Sequence, residues 1–172
     1  TSIMRTTTLP SMLEVLARNY NNRSKAAWLY ELGRIYTPKA PGPVPTLDVS
    51  EDKLAELGLS GLGKALVDAV SKLDGGNDGL AMEAQILTLG AYGNGMDFFT
   101  MKGAVEALLK GIRAQDVHFE ACAEDVSYHP GRCAYVYSGS NIVGVFGQIH
   151  PQAAKNFGVD AELYCAELSF DE

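Results

Sequence analysis

Cysteine is scarce. The chain has three in 172 residues, Cys122, Cys133 and Cys165, too few and too scattered for a disulfide framework. No CxxC pair occurs, and structural zinc sites normally draw on closely spaced ligand pairs. A metal site built from Cys122, Cys133, His129 and His150 is therefore the weaker reading. Cys122 and Cys133 read better as small core hydrophobes in strands. Such usage fits a reducing cytoplasm. No apolar run approaches membrane-spanning length and no signal peptide opens the chain, so no membrane association is expected. Basic clusters are missing too: the arginines and lysines are scattered and the net charge is −7. An acidic domain repels phosphate backbones, so this chain should not bind RNA by itself. The glycine-rich turn Gly90 to Gly95 is not GxGxxG, and no GK[ST] follows, so it reads as a turn and not a phosphate cradle.

What is present is an ordinary globular composition, 47% apolar and 20% charged, enough for one domain with a real core. Leu9, Met12, Leu13, Leu16 and Tyr20 recur at helical spacing. Pro10 suits the first turn, Thr8 can cap it, and Asn21-Asn22 can end it. The run from Ala26 to Tyr36, apolar and rich in aromatics, reads as a strand. Glu31 inside it would need a partner if buried, Arg34 or a backbone N–H; otherwise it faces water at a sheet edge. Four prolines between Thr37 and Val49 make a loop, followed by short helical patterns at about 50–57 and 62–73. Residues of about 38–78 are expected to form an insertion in a single domain spanning 1–172.

Leu80 to Tyr92 is strand-like. Asp97 caps a helix whose buried stripe is Met101, Val105, Leu108, Leu109 and Ile112, with Gly111 at its exit. The last third alternates as strands: 117–122, 133–138, 142–149 and 163–170. Gly139-Ser140-Asn141 makes a hairpin turn, and Gly144 and Gly147 suggest close backbone approach or a bulge. His129-Pro130-Gly131-Arg132 reads as a turn, and His150-Pro151 as a strand exit and helix start. Strands in hairpin order with helices between predict an α+β architecture, an antiparallel sheet carrying helices on one face.

Several stretches carry a family likeness. "MRTTTLPSMLEVLARN" leads into "WLYELGRIY"; Asp97-Phe98-Phe99-Thr100-Met101-Lys102-Gly103 precedes Val105 to Leu109; and His129-Pro130-Gly131-Arg132 precedes Gly144 to Pro151. In that order they resemble the catalytic-like module of the beta subunit of bacterial phenylalanine–tRNA ligase. The likeness implies a fold like the core of class II aminoacyl-tRNA synthetases, without catalysis of its own. It implies a heterotetrameric α2β2 partnership with the alpha subunit, tRNA contact only through other parts of the complex, and ATP and magnesium used by the complex and not by this fragment. A chain that matches the middle of a longer family and does not begin with Met reads as a fragment.

Class II catalysis uses arginines to stabilise charge on the α-phosphate, because their planar fork matches phosphate oxygens. One comes from a strand-loop after the first motif and one from a Gly-rich helix start near the C-terminus. Here no arginine follows Arg132, and Ala161 to Leu168 lacks the Gly-rich lead. Arg34 lies beyond Glu31-Leu32-Gly33 and not ahead of it. No catalytic, cofactor or metal residue is therefore expected. His129 with Asp125 and Ser127 is better read as structure than as an acid–base cluster. By resemblance, the helix from Pro10 to Asn22 should meet the alpha subunit, with Met12, Leu13, Leu16 and Tyr20 at the interface; otherwise that band covers its own sheet. The alternative is a free-standing small-ligand-binding or enzymatic domain that uses the pocket of a class II-like sheet.

Overall fold

The computed structural model describes residues 4–37 and 81–169. Two compact units make up the chain, Thr1–Tyr36 with Glu83–Glu172, and Thr37–Met82. The expected insertion and its two short helices lie outside the described residues.

The elements run α1 (Leu9–Asn21), β1 (Ala27–Thr37), β2 (Met82–Tyr92), α2 (Phe98–Gly111), β3 (Val117–Ala121), β4 (Tyr128–Ser138), β5 (Asn141–Ile149), α3 (Pro151–Asn156) and β6 (Tyr164–Ser169). The six strands form one sheet in the order β1-β2-β6-β5-β4-β3. The β2–β6, β6–β5, β5–β4 and β4–β3 pairings are all antiparallel. The expected hairpin order therefore holds only in part: β6, the last strand, enters between β2 and β5.

Helices cover both faces, a correction to the one-face expectation. Leu9, Met12, Leu13, Leu16 and Ala17 of α1 and Ala154 of α3 share one core cluster with Tyr92, Cys133 and Cys165. Met101, Val105 and Leu109 of α2 share the other with Ala134, Phe146, Ala166 and Leu168. The alternation along β6 explains the division, since Cys165 faces α1 while Tyr164, Ala166 and Leu168 face α2.

Local signals resolve unevenly. Asp97 caps α2 as expected, its carboxylate accepting the Thr100 N–H at 2.7 Å. His150 starts α3, its Nδ1 accepting the Gln152 N–H. The left-handed residues after α1 and α2 are Arg23 and Arg113, not Asn21-Asn22 or Gly111. The expected turn at His129 to Arg132 lies within β4, at an irregularity in its pairing with β5 between Tyr128 and Cys133. Close backbone approach at Gly144 and Gly147 is confirmed. A Cβ on Gly144 would meet the Glu167 carbonyl, and one on Gly147 the Arg132 carbonyl.

Candidate functional site

Near the start of α1, polar groups on the sheet are bound to one another. Helix α1 begins against the middle of the sheet. Thr8 occupies its N-cap position, but the Thr8 side chain caps nothing in the helix. The cap comes from β6. Glu167 Oε1 accepts the backbone N–H groups of Thr8 and Leu9 at 3.1 Å each and the hydroxyls of Thr7 and Thr8 at 2.7 and 2.9 Å. The Thr8 hydroxyl also meets the buried hydroxyl of Thr88, which lies opposite Glu167 in the β2–β6 register. A carboxylate at this point satisfies orphan donors and faces the positive end of the helix.

Arginines on or next to the sheet are likewise engaged. Arg5 Nη1 lies 2.7 Å from Glu31 Oε1, and Arg5 Nε donates to the Arg34 carbonyl at 2.8 Å. Glu31 is half-buried, and its partner is Arg5, not Arg34. Arg34 pairs with Glu83 of β2 at 3.0 Å. Arg132 donates to the buried Gln148 and to Glu162, at 2.8 and 3.0 Å; the Glu162 hydrogen bond raises its pKa. A guanidinium already opposite a carboxylate offers a phosphate little net charge. His129 Nδ1 accepts the Gly131 N–H and so shapes the backbone. Among the described residues, no cluster of three or more His, Cys, Asp or Glu could hold a metal ion.

Next to Glu167 lies a recess of about 270 Å³ lined by Thr7, Ile35, Ile86, Tyr135 and Val145 among others. Its walls are mainly aliphatic and aromatic, chemistry for packing and not for phosphate.

The residues expected at the subunit interface pack within the chain. Met12, Leu13 and Leu16 are buried in the chain's own core, Leu16 with no exposed surface. Tyr20 is half-buried edge-on against Tyr92, ring centroids 5.9 Å apart. These side chains already cover the chain's own sheet, the other reading that the sequence allowed for this band. A face overlooked in the sequence is open instead. Trp28, Tyr30 and Leu32 of β1 are 50%, 78% and 62% exposed. They point away from α1, because Ala27 and Leu29 pack on the α1 cluster and Gly33 lies against Arg5 and Thr8. Among the described residues, helix α2 packs mainly on β5 and β6. The sequence signal is Trp28, Tyr30 and Leu32, large apolar residues at every second position of a strand whose other face already carries Ala27 and Leu29.

The family profile described as the phenylalanyl tRNA synthetase beta chain CLM domain matches residues 1–170. The chain belongs to this family. It is 30% identical over 171 residues to the phenylalanine–tRNA ligase beta subunit of Clostridium acetobutylicum, covering 99% of this chain and 17% of that protein. It is 31% identical over 177 residues to the corresponding subunit of Geobacter sulfurreducens, covering 99% and 18%. The chain thus spans less than a fifth of the length of these relatives. Among solved structures it is similar to pyrrolysyl tRNA synthetase of Desulfitobacterium hafniense, with a TM-score of 0.61 at 10% identity, over 96% of this chain and 46% of that one. At that identity the likeness is one of fold alone.

Proposed function

We propose that this domain is a non-catalytic structural and subunit-interface module of a phenylalanine–tRNA ligase beta subunit. It supports an alpha subunit that attaches phenylalanine to tRNA with ATP, in a cytoplasmic α2β2 assembly. The observation that carries this reading is the mutual neutralisation of the sheet's charges. Arg5, Arg34 and Arg132 face Glu31, Glu83 and Glu162, and Glu167 is occupied by the start of α1. A class II-like core can keep its architecture this way while holding no free arginine at the position that adenylate chemistry requires. ATP and magnesium belong to the partner chain, and an acidic domain leaves tRNA to other parts of the complex.

The surface that suits the alpha subunit is the Trp28, Tyr30 and Leu32 stripe. Large aromatic and leucine side chains, rimmed by the Arg34–Glu83 ion pair, combine an apolar centre with a polar edge. Together the three expose on the order of a few hundred Å², a size at which patches mark interaction sites. The test is co-expression with the cognate alpha chain and affinity purification of the pair. Wild type should co-purify, and a folded Tyr30→Glu, Leu32→Glu double variant should not. Calorimetric titration of the isolated chain with ATP or phenylalanine should show no binding. A clear isotherm with either would overturn the non-catalytic reading in favour of a small-ligand domain.

A further inference from the structure

Two thiols outside this site face each other across the edge of the sheet. The β3–β4 register ends at Ala121 opposite Ala134, and its next step sets Cys122 opposite Cys133. The Cys122 N–H donates to the Cys133 carbonyl at 2.9 Å, which continues the ladder by one residue. Directly opposed residues share a face, with Cβ atoms about 4.5–5.5 Å apart. A disulfide needs Cα atoms about 4.4–6.8 Å apart and Cβ atoms about 3.5–4.5 Å apart. The backbone bond makes this a hydrogen-bonded pair, toward the wide end of the cross-strand range, so closure requires the two side chains to draw together. Both lie in the core beneath α1, 1% and 6% exposed.

Their surroundings differ. The Cys122 sulfur accepts hydrogen bonds from the Tyr135 hydroxyl, the backbone N–H groups of Asp125 and Glu124, and the Cys133 thiol. Burial opposes the thiolate most strongly, yet these bonds together hold Cys122 below the ordinary thiol range. The same contact pushes the Tyr135 hydroxyl up to about 12. Cys133 moves the other way, pushed up by burial and then by Cys122. One sulfur is prepared to attack and the other stays protonated until needed.

We propose that Cys122 and Cys133 are a peroxide-oxidisable dithiol that closes to a cross-strand disulfide and staples the edge strand β3 to β4. The Cys122 thiolate attacks one oxygen of hydrogen peroxide; an S–O bond forms, the O–O bond breaks, and the leaving hydroxide takes a proton to become water. The Cys133 sulfur then attacks the Cys122 sulfenic acid. The S–S bond forms, the S–O bond breaks, and the Cys133 proton leaves with the hydroxyl as a second water. Two thiols and one peroxide give one disulfide and two waters, two electrons passing from sulfur to oxygen. Cys165, fully buried in the same cluster and pushed up by burial, is the internal control.

The test is treatment of the folded chain with hydrogen peroxide, alkylation of the remaining thiols under denaturing conditions, and tryptic mass spectrometry. Cleavage after Arg113, Arg132 and Lys155 puts the three cysteines on separate peptides. The expected product is the Cys122 and Cys133 peptides joined, lighter than their sum by two hydrogens, with Cys165 alkylated and the link removed by dithiothreitol. The oxidised wild type should also unfold at higher urea than the reduced protein. In a Cys133→Ser variant, dimedone should trap Cys122 as its sulfenic acid. Two outcomes overturn the proposal: both thiols remaining alkylatable under peroxide that fully oxidises free glutathione, or Cys165 oxidising as fast as Cys122. The wild-type cross-link decides the matter alone if the serine variant does not fold.

Discussion

Glu167 and Leu9 lie 158 positions apart in sequence, and Oε1 of the first accepts the backbone N–H of the second at 3.1 Å. The last strand thus caps the first helix. Thr88 completes the arrangement, because the β2–β6 register places it opposite Glu167 and its hydroxyl meets that of Thr8. The start of α1 is fixed by two strands at once, so any shift in the sheet register would release the helix.

Replacing this carboxylate should therefore cost more than an ordinary surface change. Glu167→Ala leaves the N–H groups of Thr8 and Leu9 without their acceptor, and the loss should be about 2–3 kcal/mol in urea unfolding. Glu167→Gln keeps an acceptor oxygen and loses the charge, so about 1 kcal/mol is expected. A loss under about 0.5 kcal/mol for the alanine variant, typical of an inert surface position, would refute the cap.

Helix α1 and strand β1 should respond in opposite ways to the same kind of substitution. Leu16 has no exposed surface, so Leu16→Glu should abolish folding, and Leu16→Ala should cost about 2–5 kcal/mol. Tyr30 is 78% exposed, so Tyr30→Glu should leave stability within about 0.5 kcal/mol of wild type. Circular dichroism and urea midpoints separate the two. A folded Leu16→Glu protein would show that the core beneath α1 does not depend on this side chain.

This contrast also shows what the sequence could and could not disclose. The 3.6-residue period marks a buried face on α1, and it did so for Leu9, Met12, Leu13 and Leu16. Periodicity cannot say whether that face meets the chain's own sheet or another protein. Strand positions were legible in the last third because alternation and the Gly139-Ser140 turn are local signals. The insertion of β6 between β2 and β5 was not, since strand order depends on long-range pairing. The same limit hid the Arg5–Glu31 pair and the Glu167 cap, whose partners are brought together only by the fold. Arg34 was an easy mistake as the partner of Glu31, being three residues away. On a strand, though, an odd spacing puts side chains on opposite faces.

Two glycines should behave with opposite sign. A Cβ on Gly147 would run into the Arg132 carbonyl and the Cys133 Cα, both backbone atoms that cannot swing aside. Gly147→Ala should therefore destabilise by about 1–3 kcal/mol. Gly103 lies inside α2 with open space around it. Gly103→Ala should stabilise by about 0.5–1 kcal/mol, since glycine is the poorer helix former. Thermal unfolding of the two variants beside wild type checks both signs, and destabilisation at Gly103 would show a close neighbour at that position.

The cap of α2 should make stability depend on acid. The Asp97 carboxylate accepts the Thr100 hydroxyl and the Thr100 N–H, and these bonds hold its pKa below the ordinary aspartate value. A carboxylate depressed in the folded state stabilises it at pH values above the unfolded pKa, near 3.9. That contribution is lost as pH falls through the lower folded value, because the protonated group is the poorer acceptor. Asp97→Asn removes the titration while keeping a side-chain oxygen for the cap. Urea midpoints measured from pH 2.5 to pH 6 should therefore show wild type ahead of Asp97→Asn by a constant margin above about pH 5, and that margin should shrink steadily below about pH 4. A margin independent of pH would mean that the folded and unfolded states bind the Asp97 proton equally, and that the hydrogen bonds to Thr100 do not favour the charged form.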